Sequence, residues 1–164
     1  MMDNEIDFYI DTECENINDF DCDFEVFNIY LKKHIPMDKA VFHYIINPED
    51  DSLIAYFSLL ASCIFLNDSS SNSNIIPAIE VKMFAIDKKY RKLNLSHRLL
   101  ADIYDIVMSY LRYVGAEALI LYSVPAEKVV QMYENNGFKK MLENFSMYKS
   151  NFNDGCVPMY RFIE

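Results

Sequence analysis

Lys88, Lys89, Arg91, Lys92 and Arg98 place five of the chain's fifteen basic side chains within eleven consecutive positions. The first four lie between a strand-like run, residues 78–86, and an amphipathic pattern that starts at Ser96, and Arg98 falls in the first turn of that pattern. The first N–H groups of a helix have no intrahelical partner and carry the positive end of its dipole. Cations gathered around such an end are suited to holding a polyphosphate. A solvated basic loop explains the charge but not its placement. Residues 91–96 (RKLNLS) contain no glycine, although loops of this kind use glycine to bring backbone N–H groups close to the anion.

Such a loop needs a strand before it and a helix after it. Residues 5–11 (EIDFYID) alternate apolar and charged, which predicts a half-buried strand. Residues 19–23 carry helix-start side chains, and Val26, Phe27, Ile29, Tyr30 and Leu31 follow at helical spacing to near His34, with Pro36 as the exit. Residues 40–47 and 53–63 predict an antiparallel hairpin across the turn NPEDD. Residues 67–74 (NDSSSNSN) are a polar loop within one domain, and residues 78–86 form the fourth strand. Leu99, Ile103, Ile106, Val107, Tyr110 and Val114 share one face of a helix that Gly115 closes as its C′ residue.

The apolar run 118–123 predicts a strand covered on both faces. Pro125 suits the first turn of a helix that runs to Asn136 and is capped by Gly137. Strands near 138–142 and 157–162 complete the order β-α-β-β-β-α-β-α-β-β. That order predicts an α/β or α+β protein with one domain over residues 1–164.

The composition, 52% hydrophobic and 15% aromatic over 164 residues, suits a folded core. The net charge of −10 is local, because residues 1–25 hold ten acidic side chains and no Lys or Arg. The remainder carries fifteen of each sign. Such a segment repels nucleic acid, attracts a cationic partner, or simply adds solubility. No basic leader and no apolar run of about 20 residues is present, so a cytoplasmic protein without a membrane partner is expected. Cys14, Cys22, Cys63 and Cys156 lack CxxC spacing and predict reduced thiols. His34, His43 and His97 lack i,i+4 pairing, so no metal is expected.

Residues 79–100 (IEVKMFAIDKKYRKLNLSHRLL), followed by residues 132–138 (MYENNGF), resemble the GNAT superfamily of acetyl-CoA-dependent N-acetyltransferases. The resemblance implies a mostly antiparallel central sheet of about seven strands flanked by helices. It also implies acetyl-CoA as co-substrate without a metal, a small-molecule or peptide amine as acceptor, and a second copy of the chain as candidate partner. Coenzyme A then pairs with Phe84, Ala85 and Ile86, and its pyrophosphate lies on Arg91, Lys92, Leu93, Asn94, Leu95 and Ser96. Asn94 and Ser96 replace the family's two loop glycines, and Ala126 stands where an asparagine is common. Asparagine is the most tolerant replacement for left-handed backbone, and serine is small and a good N-cap.

A narrower resemblance covers residues 20–34 (FDCDFEVFNIYLKKH), which are similar to the opening helix of acetyltransferase toxins from toxin–antitoxin pairs. Those proteins begin Phe-x-Cys-Gly and acetylate aminoacyl-tRNA. Cys22 matches, and Asp23 replaces the glycine. By resemblance Tyr133 donates a proton to the cofactor sulfur; its bland alternative is a core tyrosine, one of twelve. Glu80 is the candidate base, direct or through water, against an exposed strand carboxylate. The rival from another class is a degenerate relative that keeps the fold and acts as a binding or regulatory module.

Overall fold

The computed structural model describes residues 6–34, 39–67, 74–149 and 153–164. In chain order these form β1 (Tyr9–Asp11), α1 (Glu25–Ile29) continuing into a π-helical turn (Tyr30–His34), β2 (Val41–Ile46), β3 (Leu53–Leu66) and β4 (Ile75–Ile86). A 3-10 turn (Lys88–Leu93), α2 (Ser96–Tyr110), β5 (Ala118–Ser123), α3 (Glu127–Asn135), β6 (Lys139–Lys140), β7 (Phe145–Met147) and β8 (Val157–Phe162) follow. The eight strands pair in the order β1-β2-β3-β4-β5-β8-β6, with β7 on β3. β4–β5 is parallel, whereas β1–β2, β2–β3, β3–β7, β5–β8 and β6–β8 are antiparallel. The expected mixed α/β architecture is present, with one strand more. β7 spans only three residues, too few to show alternation. Pro36 and most of the serine-rich loop lie outside the described residues. Among the described residues no helix is long and apolar enough to cross a membrane.

The chain forms two compact units, Met1–Leu60 with Lys82–Ser96, and Ala61–Val81 with His97–Glu164. In the first, the β2–β3 hairpin stacks aromatic rings on one face. Phe42 lies against Tyr30 and Tyr56 with centroids 5.4 and 6.0 Å apart, and Phe20 meets Tyr56 edge-on at 5.4 Å. Tyr56 is fully buried, and its hydroxyl donates to the Phe27 carbonyl at 2.8 Å, which ties α1 to the hairpin.

α1 is shorter than its periodicity suggests because residues 19–23 do not open it. Phe24 occupies the N-cap with extended backbone and no side-chain cap. The Asp21 carboxylate instead accepts the Asp23 N–H and the Asn28 amide, each at 2.9 Å, folding the acidic residues into a turn. Local hydrogen bonding by aspartate has competed with helix initiation and won.

In the second unit β5 lies between β4 and β8 and is buried at five of six positions. α2 buries Leu99, Leu100, Ile103 and Val107. It stops at Tyr110, four residues before Val114, where the Tyr110 carbonyl accepts N–H groups from both Tyr113 and Val114. Gly115 lies outside the left-handed region and is therefore not the C′ residue expected.

α3 begins after Ala126, so Pro125 precedes the N-cap and does not sit in the first turn. Its other end is a Schellman motif. Gly137 has φ 85° and donates to the Glu134 carbonyl at 3.0 Å, while the Phe138 N–H reaches the Tyr133 carbonyl at 3.1 Å. The apolar contact that accompanies such a motif is the Tyr133–Phe138 ring pair. Glycine serves a second purpose here, since a Cβ at residue 137 would come 3.2 Å from Arg161 Nε.

Candidate cofactor loop and catalytic side chains

Asp87, at the end of β4, organises the loop. It is 2% exposed and donates its N–H to the Ile54 carbonyl at 2.8 Å. One carboxylate oxygen caps the 3-10 turn by accepting the Lys89 N–H at 2.9 Å, and the other accepts the Asp21 N–H at 2.9 Å. The turn ends at Asn94 with φ 54° and ψ 35°, the left-handed conformation that a loop glycine would take without strain. Buried Leu95 anchors the chain, and Ser96 opens α2, whose first turn holds no acidic side chain. Phe84 and Ile86 are half-buried around buried Ala85, while Lys92 and Asn94 are exposed and Leu93 is half-buried. The backbone thus has the form expected of an anion-binding junction.

The loop's cations face a partner that local pattern did not indicate. Asp23, also left-handed at φ 60°, bridges two of them. One of its oxygens lies 3.1 Å from Arg91 Nη1 and the other 3.6 Å from Lys88 Nζ. Lys88 also binds Asp21 at 2.6 Å. The second terminal nitrogen of Arg91 donates to the Cys22 carbonyl, and its guanidinium lies 5.7 Å from the Phe24 ring centroid. The hydrogen bond from Lys88 holds the Asp21 carboxyl well below the usual carboxylate range, and the Asp21 charge raises Lys88 in return. These side chains are about half exposed, so each pair is worth little alone.

The two proposed catalytic side chains belong to the other unit. Tyr133 is 7% exposed in α3, and burial pushes its hydroxyl above the ordinary tyrosine range, which keeps it protonated. Glu80 is only 5% exposed, so it is not an exposed strand carboxylate. It pairs with Ile120 across the parallel β4–β5 ladder. Ile79 and Val81 on either side are buried too, and Val81 lines a cavity of about 380 Å³ with Leu100, Tyr104, Phe138 and Arg161. By strand alternation Glu80 points to the opposite face. There its charge helps push Tyr122 up to about 12, after burial as the main cause.

Arg161 was not singled out from sequence. Its guanidinium lies 3.9 Å from the Tyr104 ring centroid and donates to the Asn136 carbonyl at 3.0 Å, closing the end of α3. Only an arginine late in the chain hinted at it, and spacing gave no sign of a contact with residue 136.

No protein-family model matches the sequence, and no curated protein matches it closely. Solved structures match over nearly the whole chain. A tyrosine-to-phenylalanine variant of the toxin AtaT, bound to acetyl-CoA and the C-terminus of the antitoxin AtaR, superposes with TM-score 0.72 at 19% identity, covering 95% of this chain and 93% of that one. A similar variant of KacT gives 0.71 at 19% identity, covering 94% of each. AtaT complexed with acetyl-methionyl-tRNAfMet gives 0.69 at 21% identity over 96% and 94%. Together with the element order and the loop geometry, these likenesses establish that the chain has the GNAT fold.

Proposed function

We propose that this protein is an acetyl-CoA-dependent N-acetyltransferase and that its acceptor is the α-amine of an aminoacyl-tRNA. The observation that carries the first part is Asn94. A non-glycine residue holds the left-handed conformation at the first glycine position, so the loop backbone keeps its course into α2. The acceptor rests on the likeness to AtaT bound to its acetylated tRNA and on the toxin-like residues 20–34. By the same likeness, the C-terminal segment of a partner protein is a candidate ligand.

Acetyl-CoA supplies an acetyl group already activated as a thioester. The α2 N-terminus, with Asn94, Leu95 and Ser96, offers backbone N–H groups to its phosphates. N–H groups at the end of β4, near Phe84–Ile86, polarise the carbonyl as negative charge develops on oxygen. Glu80, directly or through one water, removes a proton from the acceptor amine. The amine nitrogen then bonds to the carbonyl carbon as the C–S bond breaks. Tyr133 gives its proton to the departing sulfur and regains one from solvent. Products are the N-acetyl amide and free coenzyme A thiol.

The test is transfer of radiolabelled acetyl groups to a panel of aminoacyl-tRNAs, free amines and peptides. Label on charged tRNA, lost when the tRNA is deacylated beforehand, is the expected result. Label only on other amines overturns the acceptor. No label on any acceptor, with cofactor bound, favours the degenerate binding module.

A further inference from the structure

We infer that Asp23, assisted by Asp21, occupies the cations of the loop in place of phosphate and thereby sets how tightly the loop holds its cofactor. The inference rests on the proposed acetyl-CoA reading and adds a residue that acts on affinity through Arg91. Both oxygens of Asp23 are engaged, one 3.1 Å from Arg91 and one 3.6 Å from Lys88. Both terminal nitrogens of Arg91 are engaged as well, on Asp23 and on the Cys22 carbonyl. An incoming pyrophosphate that seeks the Arg91 fork therefore finds each terminal nitrogen already donating, one of them to a carboxylate. It must displace a carboxylate, exchanging one anion for another.

The carboxylate is held in place by its own surroundings. The Asp23 N–H donates to Asp21 at 2.9 Å, the Asp21 N–H donates to buried Asp87 at 2.9 Å, and the Cys22 N–H donates to Asn28 at 3.0 Å. With glycine at residue 23, the backbone could keep its φ of 60° but would bring no charge. Aspartate retains the turn and adds a competitor. The ion pairs are exposed enough to break, since such pairs in water are weak and screened over about 8 Å at physiological salt. Displacement therefore lowers affinity without closing the site.

The experiment is calorimetric titration with acetyl-CoA of the wild type, Asp23→Asn, Asp23→Gly, Arg91→Gln and the Asp23→Asn/Arg91→Gln double variant, at low and at high salt. Asparagine removes the charge and tolerates the left-handed backbone, and glycine serves if asparagine disturbs folding. Either single Asp23 variant should bind about three- to tenfold tighter than wild type at low salt. The gain should vanish in the Arg91→Gln background and shrink as salt rises. A purely structural role for Asp23 predicts neither effect. Equal or weaker binding by both Asp23 variants, with a wild type that does bind, overturns this inference alone. A gain that persists without Arg91 also overturns it, because it would then be a general field effect. No binding by any of the proteins overturns the cofactor reading and the inference with it.

Discussion

Tyr133 and Phe138 meet edge to face, their ring centroids 5.8 Å apart and their planes at 73°. The pair closes the Schellman motif of α3, so the aromatic body of Tyr133 has a structural task separate from its hydroxyl. Replacing Tyr133 by Phe keeps the ring contact and should change stability by less than about 1 kcal/mol. If the hydroxyl is the proton donor, kcat should fall about 10²- to 10⁴-fold while the KM for acetyl-CoA changes little. Steady-state kinetics and a urea melt on the same preparation check both halves. Unchanged turnover removes Tyr133 from the mechanism and leaves only the helix-capping role.

Asp87 fastens the acidic turn and the 3-10 turn to the end of β4 through its two carboxylate oxygens. Asp87→Ala removes both acceptors from a residue that is 2% exposed. The expected cost is about 2–3 kcal/mol in chemical denaturation, together with weaker acetyl-CoA binding as the loop loosens. A loss of stability with cofactor affinity intact would show that the loop does not depend on this anchor.

Asn94 tests the glycine substitution directly. The residue is exposed, so its side chain contributes little packing, and its φ of 54° is the main constraint. Asn94→Gly should leave stability within about 0.5 kcal/mol and acetyl-CoA affinity equal or tighter. Asn94→Ala should cost about 1–2 kcal/mol, because alanine lacks asparagine's tolerance of left-handed backbone. Equal melts for the two variants would mean that the loop relaxes to another conformation.

His43 gives a pH dependence with a definite sign. It is 3% exposed, lies opposite Phe57 in the β2–β3 ladder, and stacks on that ring at 4.6 Å. Burial lowers its pKa, so the folded protein resists a proton that the unfolded chain accepts near pH 6.5. Stability contributed by the neutral ring is present above that value and falls as pH drops below it, by up to about 1.4 kcal/mol per pH unit. Denaturation between pH 7 and pH 5 should show this slope, and His43→Phe should remove it from that window.

The sequence disclosed most of the scaffold because its strands alternate or run continuously apolar and its glycines are few. Residues 118–123 and 157–162 became β5 and β8 with the expected bounds. Asn94 was legible by type alone, since few residues other than glycine accept its backbone angles. Periodicity could not show where α1 starts or where α2 stops. Aspartate side chains took over the turn before Glu25, and the Tyr110 carbonyl gathered two N–H groups before Gly115. The charge count found both the acidic segment and the basic loop but not that Asp23 meets Arg91. That contact joins residues 68 positions apart, on two turns that Asp87 and the Lys88–Asp21 bonds hold together.

Whether a loop without glycine still holds acetyl-CoA is decided by calorimetric titration of the wild-type protein with that cofactor. One site per chain is expected, weakened by Arg91→Gln and abolished by Ser96→Glu. No detectable binding at millimolar acetyl-CoA would contradict it.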